Sequence, residues 1–174
     1  IGDTRHSRNI FSFRWTNEER EAIGIYEVVF DNSNKKDQAY YNNTNQSFNF
    51  ADGKVTASYG TATARELEDT VNEDDSITQG LKSQKKANIK QQASSLLAPT
   101  DWYVVKAAEV ESYSVPEAMT TYRADVRTAS NSMESKIDAC STVDELAVLY
   151  QHVNTGTEEN PVMERPLGEF PEAV

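Results

Sequence analysis

Residues 115–140 read VPEAMTTYRADVRTASNSMESKIDAC, and the order of apolar side chains in this stretch decides the fold of the region around it. Val115, Met119, Tyr122, Val126, Ala129, Met133, Ile137 and Cys140 follow one another in steps of four and three, which lines them along one face of an α-helix. Pro116 stands just inside the start, where a missing N–H costs nothing. A second helix is expected after Thr142, because Thr142 and Glu145 form a capping box and Val143, Leu146, Leu149 and Tyr150 supply a buried face. The short link makes it fold back on its predecessor.

Upstream, residues 63–98 are rich in helix formers and free of proline until Pro99. They are expected to form one long helix, with a break near Gly80 as the alternative. Its apolar residues Leu67, Val71, Ile77, Leu81, Ile89, Leu96 and Leu97 make a thin stripe, so Leu67, Val71, Ile77 and Leu81 are candidate partner-binding positions. Acidic residues from Glu66 to Asp75 precede Lys82, Lys85, Lys86 and Lys90, an order that complements a helix dipole.

The first sixty residues have a different rhythm. Short aromatic and β-branched runs at 10–15, 25–30, 38–41, 47–50 and 54–59 alternate with Asn- and Asp-rich turns, as strands of a small antiparallel module do. Asp52-Gly53 marks a hairpin. Thr16 with Glu19 predicts a short capped helix ended by Gly24. Tyr40 and Tyr41 are candidate partner-binding residues within an aromatic set that also includes Phe11, Phe13, Trp15, Phe48 and Phe50; alternation should place half of this set in the core. Residues 154–174, with three prolines, two glycines and five acidic side chains, are expected to form an extended acidic tail. The expected class is therefore α+β: a β-rich module at 1–60, a connecting helix at 61–98, a helical hairpin or bundle at 99–153 and the tail at 154–174.

Composition narrows the function. A net charge of -11 and a pI near 4.6 disfavour nucleic acid and anionic membrane surfaces as partners. Only 37% of the 174 residues are hydrophobic and the mean hydropathy is -0.68, so part of the apolar surface is expected to be completed by partners. Cys140 is the single cysteine, which rules out an intrachain disulfide and places a small buried hydrophobe on the 115–140 stripe. His6 and His152 lack a metal-binding or hydrolytic spacing, and no phosphate loop or nucleophile elbow is present. Glu73-Asp74-Asp75 reads as a solvated face rather than a cation site. No catalytic, cofactor or metal site is expected. No apolar run approaches the ~20 residues of a membrane span, nor does the start carry a signal-peptide pattern. The first residue is Ile1 rather than Met, so a longer polypeptide or a processed end is expected.

Ser95-Leu96-Leu97-Ala98-Pro99-Thr100-Asp101-Trp102-Tyr103-Val104-Val105, then Pro116 and Thr121-Tyr122-Arg123-Ala124-Asp125-Val126-Arg127, resembles the helix, Thr-Asp-Trp turn and Tyr-Arg-x-x-x-Arg helix of phage tail-fibre assembly proteins and related phage proteins. Glu18 to Ile25 and Asp37 to Tyr41 are similar to the leader of those proteins. The closing Trp-Pro segment of the assembly chaperones is absent, which leaves room for a virion component. The resemblance implies a non-enzymatic structural protein of a tailed-phage virion, made in the bacterial cytoplasm, associated with tail, baseplate or fibre subunits and present as a homo-oligomer or in many copies. The alternatives are a transient tail-fibre assembly chaperone and, from the aromatic strands alone, a glycan-binding adhesin. Thr100, Asp101, Trp102, Tyr122, Arg123 and Arg127 are candidate structural anchors: Thr100 or Asp101 to cap a helix, Trp102 to cover the end of the long helix, and the arginines to pair with acidic neighbours.

Overall fold

The computed structural model describes Arg5, residues 8–11 and residues 14–173. The chain is α+β, with most of its strands in the N-terminal half and its long helices after them, and divides into two units between Ala64 and Arg65. His6 and Phe13 lie outside the described residues, as does the middle of the strand expected at 10–15; Arg8–Phe11 is a 3₁₀ turn.

In the first unit, helix α1 (Asn17–Glu21) begins as its sequence dictates: the Glu19 N–H donates to Thr16 Oγ1, and Glu19 Oε2 accepts from the Thr16 N–H. Gly24, at φ 80°, follows in the left-handed conformation that glycine adopts without strain. Strands β1 (Val28–Asp31), β2 (Tyr41–Asn42), β3 (Gln46–Ala51), β4 (Lys54–Tyr59) and β5 (Thr63–Ala64) come next. Asp52 and Gly53, both at positive φ, form the tight turn between β3 and β4. The main sheet has the order β1-β4-β3, and it is mixed: β3 runs antiparallel to β4, whereas β1 runs parallel to it, returning through the 32–45 segment and β3. β2 and β5 pair separately.

The second unit departs from the expected long helix at its start. Residues 63–80 are not helical: β5 ends the first unit, and β6 (Thr70–Val71) and β7 (Ile77–Thr78) form a small hairpin around the 72–76 turn. The β-branched pairs Thr70-Val71 and Ile77-Thr78 outweigh the charged residues between them. Asp74 accepts from the Ser76 N–H and hydroxyl, and Asp75 takes a positive φ, so the acidic cluster is the tip of a turn and not the start of a helix. Helix α2 spans only Leu81–Leu97.

Its first turn is satisfied by the chain that precedes it. The Leu81 and Lys82 N–H groups donate to the carbonyls of Glu66 and Leu67, and the Gly80 N–H donates to Asp69 Oδ1 at 2.8 Å. Gly80 is required there, because a Cβ would fall on the Glu68 carbonyl.

Pro99 ends α2 as expected; a 3₁₀ turn at Ala98–Thr100 leads into α3 (Asp101–Glu109). Helix α4 (Glu117–Ala139) carries the predicted stripe, with Met119, Tyr122, Val126, Met133 and Ile137 buried. Ser130 takes the inward position and Ala129 is half-buried. α4 packs against α2, and Lys86–Asp138 (2.6 Å) and Lys90–Glu134 (3.3 Å) tie their flanks. Helix α5 (Val143–Leu149) starts on the predicted Thr142–Glu145 capping box. Cys140 is buried just beyond α4, and burial above all raises its thiol pKa.

The acidic segment is not the extended tail expected from its composition. Residues 154–173 turn back through the pair β8 (Val153–Asn154) and β9 (Met163–Glu164), and Leu167 is one of the most buried side chains of the chain. Its N–H donates to Leu149 O at 3.0 Å, and Lys136 Nζ donates to the carbonyls of Pro166 and Leu167. Phe170 packs on the Ala93, Met119, Tyr122 and Val126 cluster. The segment cannot bury a core of its own, yet one leucine and one phenylalanine suffice to complete the core of its neighbours.

Candidate interaction surface

Strand registers place Val28, Val55 and Phe50 side by side, then Phe30, Ala57 and Phe48. Side chains in register share a face, so this side of the β1-β4-β3 sheet is a layer of phenylalanine, valine and alanine closed by Tyr59 and Gln46. The opposite side carries Asp31, Ser47, Asn49, Thr56 and Ser58, with Val29 as its one large apolar side chain. A sheet with one apolar and one polar side normally buries the apolar one. Here the central Ala57 is fully buried between its neighbours, but Phe30, Phe48 and Phe50 remain 62%, 65% and 56% exposed. Tyr26 leans on Phe50 with ring centroids 4.6 Å apart, extending the layer at one edge. The small Ala57 leaves the flanking rings standing above it.

The partner-binding residues expected from sequence lie elsewhere. Tyr40 and Tyr41 are buried; burial and then Asp37 raise the Tyr40 phenol pKa, and Lys36 Nζ sits 4.2 Å from the centre of the Tyr41 ring. They are core residues because the 37–40 turn, held by the Asp37 carboxylate on the Ala39 N–H, points them inward. Leu67, Val71, Ile77 and Leu81 do not form a stripe, since only Leu81 is helical. Leu81 is buried at 2% exposure, Leu67 is half-buried, and Val71 and Ile77 are exposed cross-strand partners on the β6-β7 hairpin.

Among the anchor residues, Thr100, Asp101 and Arg123 come together. Arg123 Nη1 donates to the Thr100 hydroxyl and to Leu97 O, and Nη2 pairs with Asp101 Oδ1 at 2.8 Å. Thr100 Oγ1 in turn donates to Leu97 O at 2.6 Å. Thr100 therefore caps no N–H of α3; it closes the end of α2 and presents its hydroxyl to the arginine. Arg127 donates to the Arg123 carbonyl, and Tyr122 is part of the α2–α4 core. Trp102 does not cover the end of α2. It is 51% exposed on α3, a helix with no buried residue, and its ring lies against Tyr103.

A cleft of about 610 Å³ beside α4 is lined by Lys136, Arg165, Glu164 and Glu169 with Val153 and Met163. Its charges balance, and the Lys136 ammonium is committed to backbone carbonyls. Among the described residues no three His, Cys, Asp or Glu side chains gather as metal ligands, and no helix is long and apolar enough to cross a membrane.

Phe48 and Phe50 were legible as an alternating pair. Phe30, eighteen residues upstream, joins them through a parallel pairing that no local pattern signals. No family model, curated protein or solved structure matches this chain.

Proposed function

We propose that this chain is a non-catalytic structural component of a tailed-phage particle, associated with tail, baseplate or fibre and held there by protein–protein contacts. The observation that carries the assembly role is the phenylalanine layer of the β1-β4-β3 sheet, which the described residues leave exposed. Large exposed aromatic patches on acidic, polar chains belong to surfaces that a partner covers.

The phage assignment rests on the Thr100-Asp101-Trp102 and Tyr122-Arg123 resemblance. Arg123, Thr100 and Asp101 have a folding role in one hydrogen-bonded node, whereas Trp102 faces outward and adds a second apolar surface. The glycan-binding alternative loses Tyr40 and Tyr41 to the core.

Mass spectrometry of purified particles tests the reading: the chain is expected in stoichiometric copies. Presence in the infected lysate with absence from finished particles would instead identify a transient assembly chaperone. Particles carrying Phe48→Glu are expected to hold several-fold fewer copies while the isolated variant keeps its circular dichroism spectrum.

A further inference from the structure

Among the described residues, the strand that bears two of the sheet's three exposed phenylalanines is also an unpaired edge. Among the described residues β3 bonds to β4 alone, on one side. Ala51 and Lys54 close the Asp52-Gly53 turn as a hydrogen-bonded pair, so Ser47, Asn49 and Ala51 direct their backbone groups to β4. The N–H and C=O groups of Gln46, Phe48 and Phe50 consequently point outward. Proteins guard such an edge with lysine, proline or a bulge. β3 has none of these; its residues Gln46 to Ala51 are uncharged and exposed or half-exposed. The other edge, β1, is shorter and ends in the carboxylate of Asp31.

We infer that a second copy of this chain adds to β3 as an antiparallel strand about a two-fold axis through Phe48. In that register Phe48 faces its own counterpart and Gln46 faces Phe50 of the other copy, so every outward backbone group of the strand is paired at once. The register keeps even-numbered residues opposite even-numbered ones. The two phenylalanine layers therefore continue on one side as a six-stranded apolar face. Charge favours a second copy over a charged partner at this edge. Residues 1–64 carry seven basic and eight acidic side chains, while residues 65–174 carry ten and twenty. Copies that meet through the first unit bring together nearly neutral surfaces, and no charge meets another across β3.

The pairing names a partner for the assembly role proposed above, but it is a property of this chain alone and is tested without a particle. Sedimentation equilibrium of the full chain is expected to show a monomer–dimer equilibrium. Gln46→Pro keeps all three phenylalanines while removing an outward N–H at the first residue of the strand, where proline is tolerated; it is expected to weaken the dimer at least tenfold. A dimer that Gln46→Pro leaves intact, or a chain that stays monomeric at high concentration, overturns the inference.

Should Gln46→Pro disturb folding, cysteine pairing decides. Residues 47 and 49 of opposite copies form a non-hydrogen-bonded pair about 4.5 Å apart, within disulfide range, whereas 47 and its own counterpart are roughly 8 Å apart. Oxidising a mixture of S47C and N49C chains is expected to give a covalent dimer that neither S47C alone nor the wild-type chain gives. Equal cross-linking by S47C alone, or none in the mixture, overturns the register. Failure here leaves the particle measurement standing, and absence from particles leaves the dimer standing.

Discussion

Leu81 shows how the same side chain changes meaning with its neighbours. On a long exposed helix it would be a contact for a partner; at the first position of α2, beneath the 66–69 segment, it is buried at 2% exposure. Leu81→Asp is therefore expected to unfold the second unit rather than to spare the monomer and block assembly. Leu81→Ala should lower stability by about 2–5 kcal/mol, the cost of a large-to-small change in a packed core. Urea titration followed by circular dichroism checks both. Tyr40 and Tyr41 make the converse point to the exposed phenylalanines: aromatic identity signals contact area, and the turn or strand that carries the ring decides whether the chain itself or another molecule uses that area.

Helix α4 was legible because its stripe repeats over more than six turns and its partner needs only an apolar face. α2 was not, since its beginning is defined by groups remote in sequence. Asp69 supplies the carboxylate that Gly80 lacks, accepting from the Gly80 N–H and from the Ser83 hydroxyl at 2.9 Å. These bonds, the Gly80 N–H first, hold the Asp69 carboxyl below its ordinary pKa. A carboxylate lowered on folding contributes stability above the unfolded pKa and loses it as the pH falls through the folded one. Asp69→Ala should accordingly lower the Tm at neutral pH, with the difference shrinking in strong acid; thermal melts of both chains across that range are the measurement. Lys86 has the opposite sign. Its hydrogen bond to Asp138 raises its pKa, so that contribution persists through neutral pH and is lost only as the pH rises beyond the ordinary lysine range.

At the level of the chain, the two units differ in how much apolar surface they enclose. The second holds most of the buried side chains, including Met133, Ile137, Leu146, Leu167 and Val126. The first depends on Ile10, Tyr40, Tyr41 and Ala57 and leaves one sheet face open. A fragment of residues 65–174 is thus expected to keep the helical circular dichroism of the full chain and to melt cooperatively. The first unit should melt lower, as a separate transition in calorimetry that rises with protein concentration if copies associate through it.

Local chemistry in the sequence was enough for the α+β order, both capping boxes, the Asp52-Gly53 hairpin and the stripe of α4, because each depends on residues within a few positions of one another. Contacts between distant residues decided the rest. Backbone carbonyls of Glu66 and Leu67 set where α2 begins, and Leu149 and Lys136 turn the acidic tail into part of the core. The candidate surface belongs to this second group: Phe30 reaches Phe48 only across β4, through a parallel pairing whose register no local pattern specifies. Periodicity shows which side of an element is apolar; only the folded chain shows whether another part of it has come to cover that side.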